Sequence, residues 1–288
     1  MFVVAGYVVV IGCVLGGYAL AGGNFAVLLH AAPHEMFVIA GAALGAFLVG
    51  NNGKTIKATL RTLPKLLQGS KYNKARYLEL MSLLYAVLVK ARKEGLMSVE
   101  ADVDKPDESP LFKQFPLVCG DHHLMEFITD YLRMMLSGNL NAHEIENLMD
   151  NEIETHHQEA AGPAGAIQTL GDALPAFGIV AAVLGVVKTM ASVGASPAVL
   201  GQMIAGALVG TFLGILLSYG FVSPLAQLAH QKADEASKEL QCVKVTLLAS
   251  VQGYAPAIAL EFGRKVLYST ERPAFSELEQ HVKNRKAA

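Results

Sequence analysis

The first 50 residues of this 288-residue chain contain no lysine and no arginine. A secretory signal peptide begins with a basic segment, so its absence argues against one here and favours a retained apolar span. Cysteine is also scarce, since only Cys13, Cys119 and Cys242 occur, far apart along the chain. This spacing matches neither a disulfide framework nor a metal motif, and it favours reduced thiols in a protein that is not secreted.

The motifs of common enzyme classes are missing too. The sequence has no Walker A loop, no Gly-x-Ser-x-Gly elbow, no His-Glu-x-x-His and no Cys-x-x-Cys pair. Two histidine runs, at 122–123 and 156–157, raise the question of a metal site. However, adjacent residues point to different sides of a helix, and the neighbouring acids are typical of a solvated surface. We therefore expect no enzyme, no metal and no cofactor.

Apolar residues dominate, with 52% of the chain hydrophobic and 17% charged. Almost all charges lie in 51–171 and 224–288, so apolar and polar stretches alternate. A bilayer core is crossed by roughly 20 apolar residues. The predicted fold is an all-α membrane protein with four transmembrane helices, a large helical cytoplasmic domain (51–171) between spans two and three, and a helical cytoplasmic tail (224–288). The predicted spans are 2–21 and 33–50 within 1–50, and 173–193 and 198–223 within 172–223.

The orientation follows from the basic residues. A cluster between Lys54 and Lys65 comes directly after span two, which places 51–171 and both termini in the cytoplasm. Pro33 suits the first position of span two, which leaves 22–32 as a connector. Glu35 then falls in the first helical turn, at an interface. Lys188 lies near the outer end of span three, where its side chain can reach water.

The polar segments predict soluble helices. Charged and apolar residues alternate at helical spacing in 71–94, and Gly95 is expected to end that helix. Further helical stretches are predicted at 121–137 and 141–159, with Gly162 and Pro163 as a break before the membrane. Span four is expected to continue as a cytosolic helix.

A stripe of glycines marks span four, where Gly206, Gly210 and Gly214 recur every fourth residue. Such a stripe lets another helix approach closely. None of the predicted spans has an aspartate or glutamate within its core, although an ion path normally needs one. Two interpretations stay open: a scaffold without conduction, or a conduit whose carboxylate comes from a partner helix packed on small residues such as Ala182, Gly206 and Gly210.

Other candidate residues are ambiguous on pattern alone. Pro175 and Pro224, near the cytoplasmic boundary, are helix start and stop signals or a pair of hinges. Thr211 lies on the glycine face, where a threonine bonds its own backbone or lines a polar path. Arg92 and Glu100 flank Gly95 and are either solvated charges or a docking patch.

Longer blocks of the sequence resemble a known family. GYVVVIGCVLGGYALAGG, AGAALGAFLVGNNGK, LMDNEIETH, LPAFGIVAAVLGVV, VGTFLGILLSYGFVSPLA and GYAPAIALEFGRKVLYS together are similar to the MotA family of flagellar motor stator subunits, in the MotA/TolQ/ExbB proton-channel group. The resemblance covers nearly the whole chain. It implies a multi-pass protein of the bacterial inner membrane that carries no cofactor, transports protons, and drives motility and chemotaxis.

The resemblance also implies partners. Subunits of this family are expected to surround a dimer of MotB as a pentamer, with the MotB membrane helix supplying the proton-accepting aspartate. The complex would act on the rotor protein FliG from within the lipid bilayer, and no nucleic acid is involved. Matched by motif, the implied functional residues are rotor-binding Arg92 and Glu100, the conformational-coupling prolines Pro175 and Pro224, and path-facing Thr211 and Ala182.

Competing interpretations remain at this level. A TolQ- or ExbB-type subunit uses the same proton coupling to energise envelope transport. A membrane scaffold without conduction belongs to a different class, while a substrate carrier lacks the expected inverted repeat or broken helix pair. The choice between protons and sodium depends on a few polar groups and on the partner; the overall resemblance favours protons.

Overall fold

A computed structural model describes residues 2–138 and 141–286, and for 283–286 the backbone alone. Within these ranges the regular structure is helical and contains no strand, in agreement with the predicted all-α class. The chain divides into two compact units. Unit 1 comprises the residues up to Gly69 together with Glu159–Gln231, and unit 2 comprises Ser70–Gln158 together with the residues from Lys232 onward.

The helices follow one another with short connections. They are α1 (Phe2–Leu20), α2 (Phe25–Gly50), α3 (Gly53–Leu66), α4 (Lys74–Glu94), α5 (Glu100–Asp104), α6 (Pro116–Cys119), α7 (His122–Ser137), α8 (Ala142–Met190), α9 (Pro197–Leu217), α10 (Ser223–Val251), α11 (Pro256–Val266) and α12 (Phe275–Lys286). Short 3-10 helices cover Leu96–Val99 and Phe112–Gln114, and a π-helix covers Ser218–Val222.

Unit 1 turns much of its apolar surface outward. Among the described residues, 4 helices are long and apolar enough to cross a membrane: α1, α2, α8, and the continuous helix from Pro197 to Val251. Phe37 of α2 is 81% exposed and Val49 is 89% exposed. A small core of Ile39, Leu174 and Leu213 holds the helices together. Outward apolar surface on helices of this length is what lipid or a neighbouring subunit covers.

The predicted start of the second span is wrong. Helix α2 begins at Phe25, and the side chain of Asn24 caps it by accepting a hydrogen bond from the Ala26 N–H at 3.0 Å. Asparagine at this position satisfies an otherwise unpaired backbone donor, so the helix starts there and runs through Pro33. Consequently, 22–32 is not a connector, and Glu35 lies well inside the helix rather than in its first turn.

The predicted break at Gly162 and Pro163 is also wrong, because α8 is one helix of 49 residues. Ala164 and Ile167, next to this pair, pack in a buried cluster with Leu66, Ala226 and Ala229. This packing stabilises the helix where proline removes a backbone hydrogen bond. At its far end α8 stops at Met190, slightly before the predicted end at residue 193. Span four continues into α10 as predicted.

Unit 2 has a large apolar core. Tyr77, Leu80 and Leu84 of α4 are almost completely buried, and Phe127 and Tyr131 of α7 meet them. Helix α4 ends at Gly95 as predicted, and the φ of 88° at this residue explains the choice of glycine. The core contacts of α4 and the turn at Gly95 fix the position of the end of α4 and of the segment after it, which carry Arg92 and Glu100.

Candidate functional site

Helices α8 and α9 approach each other backbone to backbone. A Cβ at Gly214 would lie 2.7 Å from the Leu174 carbonyl oxygen, and a Cβ at Gly178 would lie 2.9 Å from the carbonyl oxygen of Gly210. Real side chains essentially never come so close to backbone atoms, so glycine is required at both positions. The glycine stripe therefore mediates close helix packing as predicted, and α8 of the same chain is one of the helices that pack on it.

Helix α2 packs on the same stripe. Ala31 comes within 3.7 Å of the Cβ position of Gly206, and the Glu35 Oε2 comes within 2.7 Å of that of Gly210. The backbone nitrogen of Ala182 lies 3.2 Å from the same point at Gly210. The structure thus brings together Ala182 and Gly210, both predicted to face the ion path, and adds Glu35 to them.

Thr211 follows directly on Gly210 and is half-buried. Its hydroxyl has no hydrogen-bond partner among the residues that the structure describes. In contrast, Thr189 of α8 donates to the Gly185 carbonyl at 2.9 Å, the usual way in which a threonine hydroxyl is satisfied within a helix. The Thr211 hydroxyl thus remains available for a group from outside this chain, which is compatible with its predicted place beside the partner helix.

Pro224 follows a π-turn. Proline has no backbone N–H, so the carbonyl of Gly220, four residues earlier, loses its usual helical donor. Just before the proline, the Ser223 N–H donates to the carbonyl of Ser218, five residues back, which is the π-helical pattern. The Tyr7 hydroxyl of α1 donates to the carbonyl of Phe221 within this turn at 3.0 Å. Pro224 therefore lies within a continuous helix, and its interpretation as a stop signal is wrong.

Pro175 likewise lies inside a helix, between the middle and the C-terminal end of α8, so its interpretation as a start signal is wrong. Its neighbour Leu174 provides the carbonyl that lies against Gly214. Close by, a Cβ at Gly171 would lie 2.8 Å from the Ser223 Oγ. Both prolines therefore sit where α8 meets the other helix, and interior prolines are common sites of helix kinks.

Arg92 and Glu100 lie in unit 2 and are exposed. Arg92 belongs to the last turn of α4, and Glu100 is the first residue of α5. Within the described chain neither forms an ion pair, whereas nearby Lys90 contacts Asp102 at 2.6 Å. Arg92 also borders a cleft of about 390 Å³, whose apolar walls include Leu96 and Tyr254. The guanidinium is therefore free to meet a partner beside this cleft.

A buried ion network in unit 2 was not foreseen from the sequence. Arg76 donates to the Glu239 carboxylate at 2.5 Å and to the Asp121 Oδ2 at 2.8 Å, and Lys71 also contacts Asp121. Burial raises the pKa of Glu239, although the Arg76 guanidinium opposes the shift. Burial likewise acts to raise the pKa of Asp121, but the Lys71 hydrogen bond and both cations outweigh it and hold that pKa below its ordinary range.

The two histidine runs meet in unit 2. The rings of His123 and His156 lie 4.3 Å apart in an edge-to-face arrangement. In the part of the chain that the structure describes, no group of three or more His, Cys, Asp or Glu side chains is placed to hold a metal ion. The ring contact joins α7 to α8, which is a packing role.

Comparison with known proteins agrees with this architecture. Residues 4–95 match the family model for the Motility protein A N-terminal region, and residues 120–242 match that of the MotA/TolQ/ExbB proton channel family. The Motility protein A sequences of Salmonella typhimurium and of Escherichia coli are each 54% identical over 283 residues, which cover 98% of this chain and 95% of theirs.

A solved structure shares the fold. The chain of the flagellar MotAB stator complex from Bacillus subtilis superposes with a TM-score of 0.74 at 22% identity, over 94% of this chain and 98% of that one. At this identity the likeness concerns the fold alone, while the near full-length sequence identity settles the family. The chain belongs to the Motility protein A (MotA) family, within the MotA/TolQ/ExbB proton channel group.

Proposed function

We propose that this chain is the stator subunit of a bacterial flagellar motor, which conducts protons together with MotB and converts their flow into torque. The observation that carries the proposal is the identity of 54% to Motility protein A across 98% of the chain. The match of residues 4–95 to the Motility protein A N-terminal model favours the motility branch over TolQ and ExbB. The relative of known structure is described as a flagellar MotAB stator complex.

The assembly extends this proposal. Several copies, in our proposal five, surround a MotB dimer in the inner membrane, with α1, α2, the apolar part of α8, and α9 as the four spans. The exposed apolar faces of unit 1 supply the surface that such an assembly and the surrounding lipid require. Unit 2 and both termini then lie in the cytoplasm, where exposed and unpaired Arg92 and Glu100 dock on the rotor protein FliG.

The ion path lies along the MotB helix, which contributes the proton-accepting aspartate. Thr211 and Ala182 face that helix, while Gly206 and Gly210 let α2 and α9 lie close together in the wall of the path. One charge moving through 100 mV releases about 2.3 kcal/mol, comparable with a shift between two packed conformations. Pro175 and Pro224, inside continuous helices, are the positions at which protonation of the aspartate changes the path of α8 and α10.

Proton flux in vesicles tests this function. Vesicles that hold the full chain with MotB should show inward proton flux under a membrane potential, and the chain alone should show none. A complex with the MotB aspartate replaced by asparagine is the matched control and should be silent. If the complex is as silent as the chain alone, the protein is a scaffold; capture of a TolR-like protein in place of MotB would assign it to envelope transport.

A further inference from the structure

Glu35 is the only acidic residue in the apolar helices α1, α2 and α9. It lies well inside α2, because that helix begins at Phe25. An ionisable side chain among apolar helices is costly, and such residues usually serve an ion path or pair with another charge. The question is which of these two roles Glu35 has.

The packing around Glu35 shows that its place is specific. Helices α2 and α9 run in parallel, with Ala31 on Gly206 and Glu35 on Gly210. At Gly210, even a methyl group would lie 2.7 Å from the carboxylate. Gly210 thus leaves room for this carboxylate next to the backbone of Ala182.

A cleft of about 460 Å³ opens at Glu35. Its polar lining comes from three helices: His30, His34 and Glu35 of α2, Lys188 and Thr189 of α8, and Gln202 of α9. The Thr189 hydroxyl is already bonded to its own helix. In the described chain Glu35 itself makes no hydrogen bond and no ion pair. A carboxylate without a structural partner, in a cleft large enough for water, is placed for proton exchange.

We propose that Glu35 is a second proton-carrying carboxylate of this stator, which receives protons from water in the cleft and passes them to the carboxylate on the partner's membrane helix. In each cycle a Glu35 oxygen binds one proton, becomes neutral, releases the proton to that acceptor and regains its charge. Lys188, on the opposite wall, is a positioning residue whose positive charge favours the anionic form of Glu35. The inference rests on the proposed stator function and adds a group from this chain to its path.

Neutralisation of Glu35 tests the proposal in vesicles that contain the complex with MotB. Glu35→Gln keeps the size of the side chain but cannot carry a proton, so flux per complex should fall on the order of a hundredfold, as for loss of a positioned proton-transfer group. Glu35→Asp should retain most of the flux. Asp172→Asn is the matched control, because exposed Asp172 accepts a hydrogen bond from Gln168 at 2.8 Å in its own helix, and it should leave flux unchanged.

Lys188→Gln provides a second measurement, independent of whether Glu35→Gln assembles. Loss of the cation favours protonation of Glu35, so the pH of half-maximal flux should rise while the amount of complex stays constant. Wild-type flux in Glu35→Gln, or an unchanged pH profile in Lys188→Gln, would overturn the proposal. Equal loss in Glu35→Asp and Glu35→Gln would do the same, since it shows that a carboxylate at this position does not restore the flux. None of these three outcomes contradicts the stator function, provided that the unmodified complex conducts protons and that this flux depends on the MotB aspartate.

Discussion

The two units of this chain treat apolar side chains in opposite ways. In unit 1, α1 buries none of its 19 residues. In unit 2, α4 buries most of its side chains between Arg76 and Leu88, with Leu80, Leu83 and Leu84 fully enclosed. Water drives large apolar side chains into the interior of a soluble unit. Lipid supplies no such force, so membrane helices associate through close packing of small residues.

The interiors differ accordingly. The contacts of unit 1 are made by glycine and alanine against backbone, as where Gly178 meets Gly214. The interior of unit 2 holds bulky side chains and a salt-bridge network in which Arg76 joins Asp121 and Glu239. Unit 1 is therefore most sensitive to added volume, and unit 2 to lost volume or an unpaired charge. The following substitutions test that contrast.

The largest effect is expected from Gly214→Leu in unit 1. Any Cβ at this position meets the Leu174 carbonyl oxygen at 2.7 Å and the Gly178 Cα at 2.9 Å. Both atoms belong to backbone and cannot rotate away, so α8 and α9 must separate. Overpacking of this kind costs about 1–3 kcal/mol or more. We expect little complex with MotB on size-exclusion chromatography in detergent, and no swimming.

Gly201→Leu is the matched control for this substitution. Gly201 lies on the same helix and is exposed, and nothing comes within 4 Å of its Cβ position. This variant should fold and assemble. Wild-type yield and swimming for Gly214→Leu would show that backbone contact between α8 and α9 is not what holds unit 1 together.

A smaller effect is expected from Asp121→Asn in unit 2. The change removes a carboxylate that pairs with Lys71 and Arg76, which costs about 1–3 kcal/mol near neutral pH. Since the folded pKa of Asp121 lies below its ordinary value of 3.8, its stabilisation is present above that value and lost as pH falls through the folded pKa. The deficit of the variant should therefore be the same at roughly pH 7 and pH 5.5 and shrink below about pH 4.

Hydrogen exchange of α4 and α7 amides in the full-length complex measures this deficit. Asp130→Asn is the control, because Asp130 forms an exposed pair with Arg133 on its own helix, and such pairs contribute about 0–1 kcal/mol. Equal protection in Asp121→Asn and Asp130→Asn would mean that the buried network contributes no more than a surface pair.

Much of the fold could be predicted because each unit obeys its own local pattern. Apolar residues recur at helical spacing between charges in 71–94, which predicts α4, and Gly95 ends it. The predictions that failed took prolines as helix boundaries. Pro33 and Pro163 have the local appearance of boundaries, but the Asn24 cap and the cluster around Ile167 keep the helices continuous. A cap is visible in the sequence, whereas that cluster depends on residues distant along the chain.

The candidate site could be predicted only in part for the same reason. The glycine stripe is periodic, so its close helix contacts follow from spacing. The position of Glu35 on Gly210 follows from the start of α2 at Phe25. The predicted start at Pro33 placed that carboxylate in the first helical turn, at an interface. The Arg76–Glu239 pair joins residues far apart in the chain, and no local sequence pattern predicts that these two residues pair.

The smallest effect on the fold, but a complete effect on function, is expected from Arg92→Glu combined with Glu100→Lys. Both side chains are exposed and, among the described residues, unpaired, so unit 2 stability should change by less than about 0.5 kcal/mol. Assembly with MotB and proton flux should persist, while swimming should be lost if these charges meet the rotor.

The control reverses two other exposed and unpaired charges of unit 2, Lys113→Glu with Asp107→Lys, and should swim. Normal swimming of the first variant, or paralysis of both, would show that Arg92 and Glu100 are not a specific docking pair. The rotor contact would then lie in their surroundings, such as the cleft beside Arg92.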